Sequence, residues 1–139
     1  MSILVVDASV AIKWYIPEIY SEYSFKLQHI DYQLHVPQLA LLEITNIICK
    51  KLRRNEITLD IANAILQDIQ SVPLEWHDNT HLIQRAFEIA NQTFRSFYDC
   101  LYLSLAILLD GKVVTADLKF YQGVQQTIYK NNMLWIENI

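Results

Sequence analysis

This chain of 139 residues predicts an α/β domain in which a parallel sheet carries helices on both faces. Three observations carry that expectation. Ile3-Leu4-Val5-Val6 and Val113-Val114-Thr115 are short, continuous apolar runs, as in strands buried on both faces. Between them lie segments whose apolar residues recur at helical spacing. Two glycines and three prolines leave little room for long loops, and no repeat or low-complexity tract divides the chain, so one domain over 1–139 is expected.

The elements follow in order. Residues 3–6 form the first strand, and Ser9 is placed to cap a short helix through Tyr15. Pro17 fits a first helical position with Glu18 in the favourable first turn. Tyr20, Tyr23, Leu27 and Ile30 then give one apolar face. Residues 34–36 make a second strand. Residues 38–54 read as a helix with Leu39, Leu42, Ile47 and Leu52 apolar. Thr58 caps the next helix, in which Ile61, Ile65 and Ile69 repeat every four residues. Residues 72–76 make a short strand or an extended connector. Asp78 or Asn79 caps a helix to about Phe94, lined by Ile83, Phe87 and Ala90. Ser96 starts a helix that is apolar almost all round and stops at Gly111. Strands follow at 113–115 and 133–136.

Composition bounds the function. Hydrophobic residues make up 53% and charged residues 19%, which suits a sizeable core and excludes a disordered chain. No signal-peptide pattern opens the sequence, and the apolar run near 101–109 is far below the ~20 residues that cross a bilayer. Cys49 and Cys100 lack CxxC spacing and read as buried free thiols in a reducing compartment, so a cytoplasmic protein is expected. The net charge of -4 argues by itself against nucleic-acid binding. Four particular carboxylates account for that much charge, and bound divalent ions would cancel it.

Those four are Asp7, Glu43, Asp99 and Asp117. Asp7 and Asp117 end two different strands, where ligands collect in parallel sheets. Glu43 and Asp99 lie in the first turns of helices that follow loops, so both are able to face the same end of the sheet. Each has an ordinary alternative: Asp7 and Asp117 as helix caps, Asp99 in a capping box with Ser96, Glu43 as a solvated helix residue. Four carboxylates brought together repel, and a shared cation is the simplest resolution. Hard oxygen ligands suit Mg²⁺ or Mn²⁺, which points to a metal-dependent hydrolase. The histidines at 29, 35, 77 and 81 show no metal-ligand spacing beyond the i, i+4 pair His77 and His81, which reads as surface.

Val5-Val6-Asp7-Ala8-Ser9, the segment from Pro37 through Glu43 to Asn46, the segment from Tyr98 through Asp99 to Ala106 and Val113-Val114-Thr115-Ala116-Asp117 together resemble the PIN-domain ribonucleases. Within them the chain is most similar to the VapC toxins of type II toxin–antitoxin pairs. The resemblance implies a three-layer α/β/α fold in which Asp7, Glu43, Asp99 and Asp117 hold the metal. Ser9 and Thr115 match small hydroxyl positions near the site, and Asn46 a polar neighbour of the glutamate. Cys100 stands where alanine is common, and Leu118-Lys119-Phe120-Tyr121 offers no further acid.

It further implies cleavage of single-stranded or loop RNA by metal-activated water, leaving a 5′-phosphate and a 3′-hydroxyl, with one ion or two. Lys50, Lys51, Arg53 and Arg54 cluster at the end of the Glu43 helix, where cations also suit a helix C-terminus. With Lys13, Trp14 and Arg95 they are candidate RNA contacts. A homodimer and a protein antitoxin are the implied partners. The rival readings are a binding module that keeps the fold without cleavage, and a phosphoacceptor domain. The latter lacks support, because Ala8-Ser9 follows Asp7 where such domains carry a second acid.

Overall fold

Five strands, all parallel, form one sheet in a computed structural model that describes residues 2–29 and 31–139. β1 (Ser2–Val6) lies at its centre, flanked by β2 (Tyr32–Pro37) and β4 (Lys112–Thr115), with β3 (Glu75–His77) and β5 (Met133–Trp135) at the edges. Leu4, Val5 and Val6 are all buried although their side chains alternate between faces, as expected for a strand covered on both sides.

The helices are α1 (Ala8–Ala11), α2 (Ser21–His29), α3 (Leu39–Arg53), α4 (Leu59–Ile69), α5 (Ile83–Thr93), α6 (Phe97–Leu108) and α7 (Leu118–Gln125). The chain runs outward from β1 to β2 to β3, then crosses back over both to form β4 on the other side of β1. Right-handed crossovers therefore place α1–α4 on one face and α5–α7 on the other. The strand order reverses between β1 and β4, and in such sheets the crevice lies beyond the carboxyl ends of the strands at that point.

α6 is the central helix of its layer. Seven consecutive residues, Cys100 to Ala106, are buried, and the helix packs on β1, β2, β4 and α5. Its N-cap is Ser96, whose hydroxyl accepts from Asp99 N at 3.0 Å. It ends before Asp110, which takes the left-handed conformation (φ 54°). Gly111 is needed for a different reason than a helix stop: a Cβ there would lie 2.7 Å from Ile3 O on β1.

Several local expectations change. Asp7, rather than Ser9, occupies the N-cap position of α1, which continues as a 3-10 turn over Ile12–Trp14. α2 begins at Ser21, not at Pro17, after Tyr20 at φ 70°. Glu18 is therefore outside the helix and free to meet Lys13. Ile30 lies outside the described residues. The strand expected at 72–76 is Glu75–His77. Leu42, Ile83 and Phe87 point outward, 65%, 44% and 56% exposed, because Ala40, Ile44 and Ile48 face inward on α3 and Ala86 and Ile89 on α5. α5 carries more apolar residues than one face holds, and small Ala86 permits its close packing on α6. Thr58 caps α4 as expected, its hydroxyl accepting from Ile61 N. α7 was foreshadowed only by the reading of Asp117 as a cap.

Candidate active site at the carboxyl ends of β1 and β4

Asp7 leaves β1 buried, 7% exposed, and its Oδ2 accepts two hydroxyl donors at 2.7 Å, Ser9 Oγ and Thr115 Oγ1. Each hydroxyl in turn accepts a backbone N–H from the end of β4: Ala116 N to Ser9 and Asp117 N to Thr115, both at 3.0 Å. Sequence positions more than a hundred residues apart are thus joined through one carboxylate. Burial pushes the Asp7 carboxyl up, the two hydroxyls oppose this, and Asp117 adds to it.

Glu43 reaches the same crevice from α3. Its Oε1 accepts from Tyr102 Oη at 2.6 Å, and that phenol oxygen accepts from Ala8 N at 3.3 Å. Tyr102 is 1% exposed on α6, so a rigid core side chain holds the glutamate. Burial pushes Glu43 up, the Tyr102 bond lowers it, and Asp7, Asp99 and Asp117 raise it again.

Asp99 sits in the first turn of α6, pushed up to about 6 by burial and by Asp7 and Asp117, with Arg95 and Ser96 acting the other way. Arg95 Nη2 lies 3.8 Å from Asp99 Oδ2. The guanidinium rests against Gly123 of α7, where a Cβ would come within 2.7 Å of Nη1. Its Nε is buried without a partner among the described residues. Asp117 caps α7, Oδ1 accepting from Phe120 N at 3.2 Å, as its ordinary reading expects. Four elements therefore deliver four acids that repel one another across one crevice. No three of them bring oxygens within 4.8 Å of one another among the described residues.

The remaining candidates divide. Asn46 is exposed on α3, three residues beyond Glu43 and on its side of the helix. A cleft lined by Ser9, Lys13, Glu18, Lys50, Lys51 and Arg54 runs beside the basic end of α3, and Ser9 is the one of these residues that bonds Asp7. Lys13 is buried in it, its Nζ 3.2 Å from Glu18 Oε1. Lys51 lies 3.2 Å from Glu56 and 3.8 Å from Glu18. Lys50, Arg53 and Arg54 form no ion pair among the described residues. Trp14 is half-buried: its indole N–H donates to Ser24 O at 2.9 Å, and the ring packs against the core.

Sequence reasoning missed Tyr102 as the support of Glu43. Its signal was a phenol three residues after Asp99 in a helix otherwise nearly devoid of polar tips. It also missed His35, which is buried on β2 with Nδ1 2.8 Å from His77 Nε2 on β3.

The PIN domain family model matches residues 4–123. The chain is 32% identical over 116 residues to Ribonuclease VapC3 of Pyrobaculum aerophilum, covering 82% of this chain and 88% of that protein. Among solved structures it superposes on PAE2754 from Pyrobaculum aerophilum (TM-score 0.73, 18% identity, 98% of this chain and 85% of that one). It also superposes on a chain of a toxin–antitoxin complex from Klebsiella pneumoniae (TM-score 0.67, 12% identity, 98% and 99%). With the strand order, the crevice and these likenesses in hand, the chain belongs to the PIN-domain family, and its resemblance to VapC proteins holds.

Proposed function

We propose that this chain is a divalent-metal-dependent endoribonuclease, the toxin of a toxin–antitoxin pair. The observation that carries the reading is the convergence of Asp7, Glu43, Asp99 and Asp117 on one crevice. Asp7, Glu43 and Asp99 are raised by burial and by neighbouring acids, Asp117 among them. Among the described residues the one cation paired with any of them is Arg95, at 3.8 Å from Asp99. Such a donor set, all oxygen and in charge excess, fits a hard ion, Mg²⁺ or Mn²⁺, held chiefly by Asp7 and Asp99. When bound, that ion supplies a water of lowered pKa and offsets the charge of the phosphodiester.

The chain's own residues do the rest. Ser9 and Thr115 fix the rotamer of Asp7, and Tyr102 fixes that of Glu43. Glu43 and Asp117 orient water at the rim. Arg95 and the cations lining the cleft toward Arg54 hold the phosphates of an RNA strand. The likeness to Ribonuclease VapC3 supports RNA as substrate, and the likeness to a chain of a toxin–antitoxin complex supports an antitoxin protein as partner. Exposed Ile83 and Phe87 on α5 support a homodimer.

The test is cleavage of a structured RNA by the purified chain. Asp7→Asn and Asp99→Asn each lower the rate at least ~100-fold with circular dichroism unchanged, and EDTA stops cleavage until Mg²⁺ or Mn²⁺ is restored. Full cleavage by a folded Asp99→Asn protein, or in EDTA, refutes the reading.

A further inference from the structure

We propose that His35, Glu75 and His77 form a second cation site, distinct from the acidic crevice, that takes a borderline first-row divalent ion such as Zn²⁺ or Co²⁺. The parallel pairing of β2 with β3 sets His35 opposite Glu75 and Pro37 opposite His77. Residues two apart on a strand share a face, so all three side chains stand on the same side of the sheet. His35 Nδ1 is 2.8 Å from His77 Nε2 and 3.5 Å from Glu75 Oε2, and one ligand atom from each residue lies within 4.8 Å of the others. It is the one trio of His, Cys, Asp or Glu among the described residues that meets this spacing.

The chemistry of the donors differs from that of the crevice. Two imidazoles and a carboxylate are the ligand set of open, tetrahedral zinc sites, whereas carboxylates alone select harder ions. Burial holds His35 below the usual imidazole range, Glu75 opposing this and His77 adding to it, and a metal binds imidazole in its neutral form. An ion with N ligands at ~2.0–2.1 Å in tetrahedral geometry needs its two nitrogens ~3.3 Å apart, so the pair opens by about half an ångström. That adjustment is available. β3 is a three-residue edge strand, His77 is half-buried, and the Glu75 side chain is 67% exposed. In the absence of an ion the same nitrogens share a single proton in a His–His hydrogen bond. Immediately beyond His77, Gln38 N donates to His77 O at 2.8 Å and Leu39 N to Asn79 Oδ1 at 3.0 Å. An ion here ties the sheet edge to the start of α3, the helix that carries Glu43.

The inference is independent of the nuclease reading, and its test removes the acidic crevice from the measurement. In an Asp7→Asn/Asp99→Asn background, Co²⁺ titration should show one equivalent bound, with visible bands of nitrogen ligation, and Zn²⁺ should displace it. His77→Ala should weaken binding by more than the ~10–100-fold that loss of a supporting group costs. Glu75→Ala, on the surface, provides a variant whose folding is not at risk and should weaken it at least tenfold. Zn²⁺ should raise the Tm of the background protein and leave that of its His77→Ala derivative unmoved. Absence of a nitrogen-ligated Co²⁺ spectrum in the background protein, or equal affinity after His77→Ala and Glu75→Ala, overturns the site.

Discussion

Asp99 shows how one carboxyl reports its surroundings. Its folded value of about 6 stands above the ordinary 3.8, raised by burial and by the charges of Asp7 and Asp117. A group raised on folding contributes stability that is present below its unfolded value and is lost as pH rises through its folded value. Asp7 and Glu43 are raised in the same direction and carry the same sign. In EDTA the protein should therefore be less stable at pH 7.5 than at pH 4.5, with Asp99 contributing on the order of 2 kcal/mol to the difference. Urea denaturation at the two pH values measures this. Asp99→Asn should flatten the dependence, and an unchanged slope would contradict the electrostatic account. Thr115 supplies a second test. Thr115→Val keeps the shape but strips a donor from buried Asp7 and an acceptor from Asp117 N, which should cost ~1–3 kcal/mol. A neutral effect on the denaturation midpoint would mean that water replaces the hydroxyl.

At the scale of elements, the crevice depends on how closely β4 approaches β1. Gly111 begins that approach, with Ile3 O and Ile3 Cγ2 2.7 and 2.9 Å from where a Cβ would sit. The nearest obstacle is backbone and cannot swing aside. Gly111→Ala should destabilise by ~1–3 kcal/mol, as overpacking does, and should disturb the joint that Asp7 makes with Thr115. Thermal unfolding checks the first part, and a stability equal to the parent's would show that β4 shifts freely. Gly123 is the contrasting case. The atoms it would meet belong to the flexible Arg95 side chain, so its role concerns where that guanidinium rests more than how the fold holds together.

For the whole molecule, the outward apolar side chains of α5 bear on assembly. Ile83 and Phe87 lie one turn apart on its open face. If a second copy covers them, the chain should sediment as a dimer. Phe87→Glu should shift it toward monomer with the far-UV circular dichroism unchanged, since the side chain is 56% exposed in the single chain, and any fall in Tm should track the lost association. A monomeric parent at micromolar concentration would remove the homodimer from the proposal. Among the described residues, no helix is long and apolar enough to cross a membrane.

The sequence by itself was enough for the layered α/β class, the buried β1 and β4 and the all-buried α6, and it singled out four acids as candidates. These follow from local signals: runs of apolar residues, caps such as Thr58 and Ser96, and carboxylates where apolar neighbours make them costly. It did not determine which face of α3 or α5 turns inward, because both carry more apolar residues than one face needs and only the neighbouring layer chooses. Nor did it show that Ser9 and Thr115 converge on Asp7 or that Tyr102 braces Glu43. The pairing of His35 with His77 was equally hidden. Apart from Ser9, two positions beyond Asp7, such contacts join residues from 42 to 108 positions apart, and their distances are set by strand order and register. Spacing along the chain carries no information about them until the strands are laid side by side.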